Sequence, residues 1–538
     1  MQKVTKRNIA LAIIFLLILV VVALLIGNFT FSYLGADISD DVNTQGETTA
    51  SGDTIIFSSG NTLSLHATTD NFNATSGNLT DTTNPSVRLI ASSRTNSATA
   101  TYFAGIRIYE NTYTYSSGTT AEVILTVRDE NGALLEASSD ELPYVTVNGV
   151  SGFDITGKTG AFNIATEHPI STTSSTNGTT HTWTFTLTFV NLETDQSINE
   201  NANLEMEVVL QQDRITIPTF AEICREENSN TLACKVATTY TTDGAEGIYY
   251  HDGVGSYTNA DQEAGDNSYR YAGADPNNYV CFGSVEETCP AENLYRIIGI
   301  FDDDKDSNYQ IKLIKSDYTT SDMLGTDGRD YAGAYSYSIS NHKGSMDTST
   351  IAAYRWNYDT SVSSDGSNNW TTSEFNTINL NTNYWNYLGT TWQNLIAPTT
   401  WHLGGMTSTR NTAKAFYDGE RNNSGYGSNP TTYSDEIGLM YPSDYGYAAS
   451  PDAWTNNLFN YDNSTITANN WMYMGLTEWT ITPDSSLSNY VFVVDNYGSL
   501  SSNSAYIGYA ARPVFYLESN VQLEGGSGTS SDPYRLAV

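Results

Sequence analysis

The stretch HTWTFTLTFVN, residues 181–191, decides how the first half of the chain folds. Trp183, Phe185, Leu187 and Phe189 alternate with Thr182, Thr184, Thr186 and Thr188. An extended chain sends successive side chains to opposite faces, so this segment shows apolar groups on one side and hydroxyls on the other. Downstream, NANLEMEVVLQQ (201–212) repeats the pattern with Leu204, Met206, Val208 and Leu210. Upstream, AEVILTVRDENGALLE (121–136) runs a strand into Asn131-Gly132, a pair that accepts the positive φ of a tight turn. Short alternating strands separated by turn clusters predict an antiparallel β-sandwich over residues 84–215. Residues 37–83 are polar and turn-rich, which predicts a stalk or an edge strand.

The segment IALAIIFLLILVVVALLIG (9–27) carries no charge and follows Lys3, Lys6 and Arg7. Nineteen helical residues reach roughly 28 Å, the thickness of a hydrocarbon core. Residues 1–36 therefore read as a basic cytoplasmic tip and a transmembrane anchor, with the bulk of the chain extracellular by the positive-inside bias. The alternative is a cleaved signal peptide ending near Gly35-Ala36. The layout of an apolar segment leading into a sandwich that contains YFAGIRIYENTYTYSSGTTAEVILTV (102–127) and VSGFDITGKTGAFNI (150–164) resembles anchored surface proteins of Gram-positive-type bacteria and mollicute relatives. It is also similar to camelysin-like and biofilm-fibre sandwiches. That likeness implies a surface location and, for the fibre proteins, assembly by strand donation.

Composition narrows the partners. With 24 Lys and Arg against 60 Asp and Glu, the formal net charge is −36. Nucleic-acid binding draws on clustered cations that neutralise phosphates, so that class is set aside. Four cysteines, Cys224, Cys234, Cys281 and Cys289, suit an oxidising exterior and allow three connectivities. Local pairing of Cys224 with Cys234 and of Cys281 with Cys289 would pin two short loops. A zinc site is the competing reading, but the spacings differ from zinc knuckles and no His lies near.

DRITIPTFAEIC (213–224) reads as the passage to a second domain spanning 216–538. There NLYRIIGIF and YQIKLIKSD are two strands around DDDKDSN. Asp302, Asp304 and Asp306 imitate the start of a calcium loop, yet Ser307 stands where the sharp turn needs Gly and Leu313 where a bidentate Glu would sit. A hairpin tip is the preferred reading and calcium the weak alternative; no other cofactor is indicated. In residues 370–401, Thr371 with Glu374 predicts a capping box, and Tyr384, Leu388, Trp392 and Leu395 recur at helical spacing until Pro398.

The closing region contains WMYMGLTEWT (471–480), the hairpin VVDNYGSL (493–500) and ARPVFYL (511–517). These resemble the end of domains related to C-type lectins and to the formylglycine-generating enzyme. The expected architecture is thus an N-terminal transmembrane helix, an all-β sandwich and an α+β C-type lectin-like domain. The resemblance implies that Arg512 ties the closing strand to neighbouring carbonyls or carboxylates. The enzyme's late catalytic cysteines have no counterpart after Cys289, so its oxidase activity does not carry over.

No motif supplies a nucleophile or a cofactor cradle. Histidines 66, 168, 181, 251, 342 and 402 lack the paired helical spacing of zinc proteases. Eight of the nine tryptophans fall between Trp356 and Trp479, either as an aromatic core or as a stacking face. Trp385 and Trp392 read as core; Trp401 and Trp454, in polar surroundings, are the ligand-binding candidates. The sequence thus reads as a noncatalytic surface display, adhesion or ligand-binding protein for an extracellular glycan or protein. The alternatives are a surface hydrolase acting on glycan or peptide and a fibre-forming subunit.

Overall fold

Two-residue periodicity builds the first of two units, which divide at Ile217 and Pro218 in the computed structural model. The structure describes residues 53–73, 75–253, 262–302 and 308–538. Strand β11 (Thr184–Phe189) pairs antiparallel with β3 (Leu79–Thr83) and β6 (Val123–Arg128), and β8 (Val150–Asp154) and β7 (Tyr144–Val147) extend that sheet. An opposing sheet orders β2 (Leu63–His66), β12 (Asn203–Gln211), β5 (Ala98–Asn111) and β9 (Gly160–Thr172). A third joins β1 (Thr54–Ser58), β4 (Ser86–Ile90) and β10 (Thr179–Thr182).

Trp183, Phe185, Leu187 and Phe189 meet Leu204, Met206, Val208 and Leu210 in one core, none more than 5% exposed. On the hydroxyl face Thr186 sits opposite Thr82, with their Oγ1 atoms 3.1 Å apart. Gly132 takes φ +76° in the turn after β6, but the return is a single bridge, Arg128 with Leu134. Of the two readings offered for 37–83, a stalk or an edge strand, the described residues from 54 onward take the second. Those residues form β1, β2 and β3, each the edge strand of a different sheet.

The expected fold class and the membrane and single-pass reading also need correction. Among the described residues strand outweighs helix, 35% against 16%. Among the described residues no helix is long and apolar enough to cross a membrane. The segment 9–27, on which that expectation rested, lies outside the described residues.

The second unit opens with two short helices, Phe220–Glu227 and Leu232–Thr239. Thr219 and Glu222 form a reciprocal capping box at the first, with each side chain accepting the other's backbone N–H. The disulfide Cys224–Cys234 joins the helices at a Cα separation of 5.1 Å, and Cys281–Cys289 closes the second loop at 5.7 Å. Both cysteine pairs are therefore cystines, and the zinc alternative falls away.

A large sheet follows, centred on β16 (Leu294–Phe301) and β17 (Gln310–Lys315). It also holds the β13 (Ile248–His251) and β14 (Ser268–Tyr271) hairpin, β15 (Tyr279–Cys281) and the closing strands Val514–Leu517 and Tyr534–Leu536. The last of these runs parallel to β15, which ties the chain end to the first disulfide-bearing strand.

The amphipathic helices expected over 371–395 differ in kind. Phe375–Tyr384 winds as a π-helix, followed by single turns at Trp385–Leu388 and Thr390–Gln393. Side chains help set the wider winding: Thr382 Oγ1 donates to the Thr377 carbonyl and Asn381 Nδ2 to the Asn376 carbonyl, both five residues back. Glu374 does not complete a capping box with Thr371; its carboxylate accepts from the Arg329 backbone and side chain. Tyr384, Leu388 and Trp392 nevertheless reach the core, with Trp385 half-buried against it.

Candidate functional site

Arg296 of β16 lines a cleft of about 450 Å³ in the second unit. Arg296 occupies a strand that is otherwise almost wholly buried, and its side chain is 7% exposed. Its guanidinium carbon lies 4.2 Å from the Tyr279 ring centroid and 4.6 Å from that of Trp471. Nε donates to Asn278 Oδ1 at 2.7 Å, and Nη2 donates to Asp275 Oδ1 at 3.0 Å and the Pro276 carbonyl at 3.1 Å. Burial pulls the guanidinium below its usual pKa, while Tyr279 and Asp275 oppose that shift. A guanidinium stays protonated in such a site, so the result is a fixed cation clamped by two rings.

Lys343, Gly344 and Ser345 also line the cleft. Gly344 passes so close to Asp317 that an added Cβ would lie 1.9 Å from Oδ2, and at Gly475, with φ +86°, one would lie 1.8 Å from the Asn341 carbonyl. Side chains at these two positions would push those neighbours away. Asp317 accepts from His342 Nε2 at 2.9 Å and from the Tyr318 and Met346 N–H groups at 2.7 and 2.8 Å. Burial alone would raise this carboxyl, but those hydrogen bonds outweigh it and hold the group below its usual pKa. Lys343 Nζ lies 4.4 Å from the Tyr473 ring centroid and donates to the Thr467 carbonyl at 3.0 Å.

The cleft thus presents two cations laid on aromatic rings and two carboxylates, Asp317 buried and Asp275 with a side chain 70% exposed. An ionised Asp317 serves as an acceptor rather than a proton donor. The arrangement can bind a hydroxyl-rich or mixed-charge ligand by stacking and directed hydrogen bonds.

The two tryptophans singled out from sequence lie elsewhere. Trp401 and Trp454 are both fully buried, their Nε1 atoms donating to the Asp435 and Ala449 carbonyls. Trp401 packs against the rings of Tyr441 and Tyr516, and Trp454 against those of Tyr249, His251 and Tyr447, so neither is a stacking platform. Asp302 is described, whereas Asp304 and Asp306 lie outside the described residues. Arg512 donates from Nε and Nη2 to Glu478 at 2.8 Å each and from Nη2 to the Met472 carbonyl at 2.7 Å.

Sequence reasoning passed over Arg296, Trp471 and Lys343. The available signal was a lone Arg inside LYRIIGIF, a charge where an uninterrupted apolar run predicts a two-sided core strand. It also treated the histidines as scattered, whereas folding brings His168 and His181 together with Glu130 in the first unit. No family model, curated protein or solved structure matches this chain.

Proposed function

We propose that the chain is a noncatalytic binding protein of an oxidising, extracytoplasmic compartment, and that the cleft around Arg296 takes an extracellular glycan or a glycan-bearing protein. The observation that carries this reading is the preorganised Arg296 sandwich between Tyr279 and Trp471, with Asp275 exposed beside it. Rings supply flat apolar area, and the guanidinium and carboxylates supply directed donors and acceptors, the combination that orients a polar ligand. The two cystines support the compartment, since such bonds persist where thiols are not kept reduced.

Glycan and matrix-protein arrays probed with the full chain supply the test. A defined set of ligands should bind and lose at least tenfold in affinity on Asp275→Asn, a change at an exposed side chain that leaves the core intact. Binding that ignores this substitution and Lys343→Met, or turnover of the bound ligand, would overturn the reading.

A further inference from the structure

The first unit carries a second constellation, built from residues far apart in sequence. Glu130 sits in the turn after β6, His168 on β9 and His181 on β10. His168 Nε2 and Glu130 Oε2 are 3.0 Å apart, and one ligand atom from each of the three residues lies within 4.8 Å of the others. We propose that Glu130, His168 and His181 form a binding site for a divalent transition-metal ion, with zinc as its natural occupant.

Each residue is held where a ligand must be. Asp129 accepts from the Asn131 and Ala133 N–H groups at 2.9 and 2.8 Å, which stiffens the turn that carries Glu130. Glu130 Oε1 accepts from Asn131 Nδ2 at 3.0 Å, leaving Oε2 to face His168. Ahead of His168, Glu167 adopts φ +48°, and the register between β5 and β9 shifts just past the Tyr102–His168 pair. Bulges of this kind re-aim a side chain, and a left-handed residue other than Gly costs on the order of 1 kcal/mol or more. His181 Nδ1 lies 3.0 Å from the buried Tyr102 hydroxyl, which also accepts from Trp183 Nε1 at 2.8 Å. An outer hydrogen bond on one ring nitrogen fixes the ring and leaves Nε2 to bind, the arrangement that metal-ligating histidines use.

The donor set selects the ion. Two imidazoles and one carboxylate suit zinc, whereas calcium and magnesium take six or more oxygens. Tetrahedral zinc requires ligand atoms roughly 3.3 Å apart, within reach by small side-chain rotations from the present spacing. Three protein ligands leave a fourth position for water. The side chains of His168 and Glu130 are 23% and 18% exposed, so an ion can reach them from solvent. Bound zinc would tie the 129–132 turn to β9 and β10, strands of different sheets.

Titration of zinc chloride into the untagged full chain, followed by calorimetry, tests the site; calcium chloride is the control. One zinc per chain is expected, with Tm of the sandwich transition rising by roughly 5 °C at a hundredfold excess over Kd. Cobalt in place of zinc should give the visible bands of a tetrahedral centre. His168→Ala and His181→Ala should each weaken zinc at least a hundredfold, and Tyr102→Phe about tenfold, in variants whose metal-free circular dichroism matches the parent. Zinc uptake unchanged in the His168→Ala/His181→Ala double variant would overturn the proposal, as would a calcium response equal to that of zinc. Either result would assign uptake to the acidic surface.

Discussion

In the sandwich, strands alternate and the buried face is apolar. In the second unit, β16 and β17 are buried on both faces and still carry Arg296, Lys312 and Lys315, all buried. The sandwich's deeply buried acid, Glu122, is met by amides: Gln196 Nε2 at 2.7 Å and Asn199 Nδ2 at 3.0 Å. Several of the second unit's buried charges pair with one another, although Lys315 Nζ donates to the Glu292 carbonyl at 2.7 Å. Lys312 Nζ donates to Asp444 Oδ2 at 2.7 Å, Arg270 Nη2 to Asp266 Oδ2 at 2.6 Å, and Arg512 to both oxygens of Glu478. Taking a charge out of water costs several kcal/mol, which a close and well hydrogen-bonded partner offsets. The sandwich therefore depends on shape and the second unit on mutual neutralisation, so the two should fail under different perturbations.

The largest expected effect comes from orphaning one of those charges. In Arg512→Met, Glu478 keeps its burial and loses the guanidinium that contacts both its oxygens, a change worth about 4 kcal/mol. Urea unfolding should show the second unit's transition moving to lower denaturant while that of the sandwich stays in place. The double variant Arg512→Met/Glu478→Leu should recover most of the loss, because an apolar pair of similar volume needs no neutralisation. Equal destabilisation in the single and double variants would break the comparison and make Arg512 a matter of packing.

Much of this contrast was legible before folding and part was not. Alternation in HTWTFTLTFVN and NANLEMEVVLQQ marked the sandwich strands because a half-buried strand writes its environment into every second residue. The central strands of the second unit have two buried faces and no such alternation, and one of their charges, Lys312, finds its partner Asp444 more than a hundred residues away. The aromatic density of residues 356–479 was visible, but not which rings were covered: Trp401 and Trp454 went inside, while Trp471 came to line the cleft. The metal cluster was invisible for a related reason, since its ligands come from a turn and two strands of different sheets.

A second test uses acidity. Burial, opposed by Arg421 and Ser443 and reinforced by Asp444, pushes the Glu420 carboxyl up to about 7. An acid whose folded pKa exceeds its unfolded value holds its proton more tightly when folded. The stability it lends is complete below about pH 4.5 and is lost as pH rises through 7, a span of about 3 kcal/mol. Glu420→Gln should remove that slope, keeping the second unit's Tm flatter between pH 5 and 8 than in the parent. In the sandwich the hydrogen bonds that hold Asp140 below its usual pKa act the other way, adding stability that is lost as pH falls through the acid range. Parallel pH profiles for the two transitions would erase the distinction.

The disulfides sharpen the comparison at the smallest scale. Both bridges lie in the second unit, where they close loops of 10 and 8 residues in sequence separation. Loop-closure entropy for such short spans is worth about 2 to 3 kcal/mol each, before any strain in the folded state. Cys224–Cys234 joins two eight-residue helices, each too short to persist alone in water, so their pairing rests on this bond and on Ala221, Val236 and Ala237 beneath it. Cys224→Ser/Cys234→Ser should therefore loosen amide-exchange protection over residues 220–239 first and lower the second unit's Tm by several degrees. The sandwich transition should stay where it was. A shift of both transitions together would mean that the units unfold as one, and the division between shape and charge would then describe two parts of a single cooperative structure.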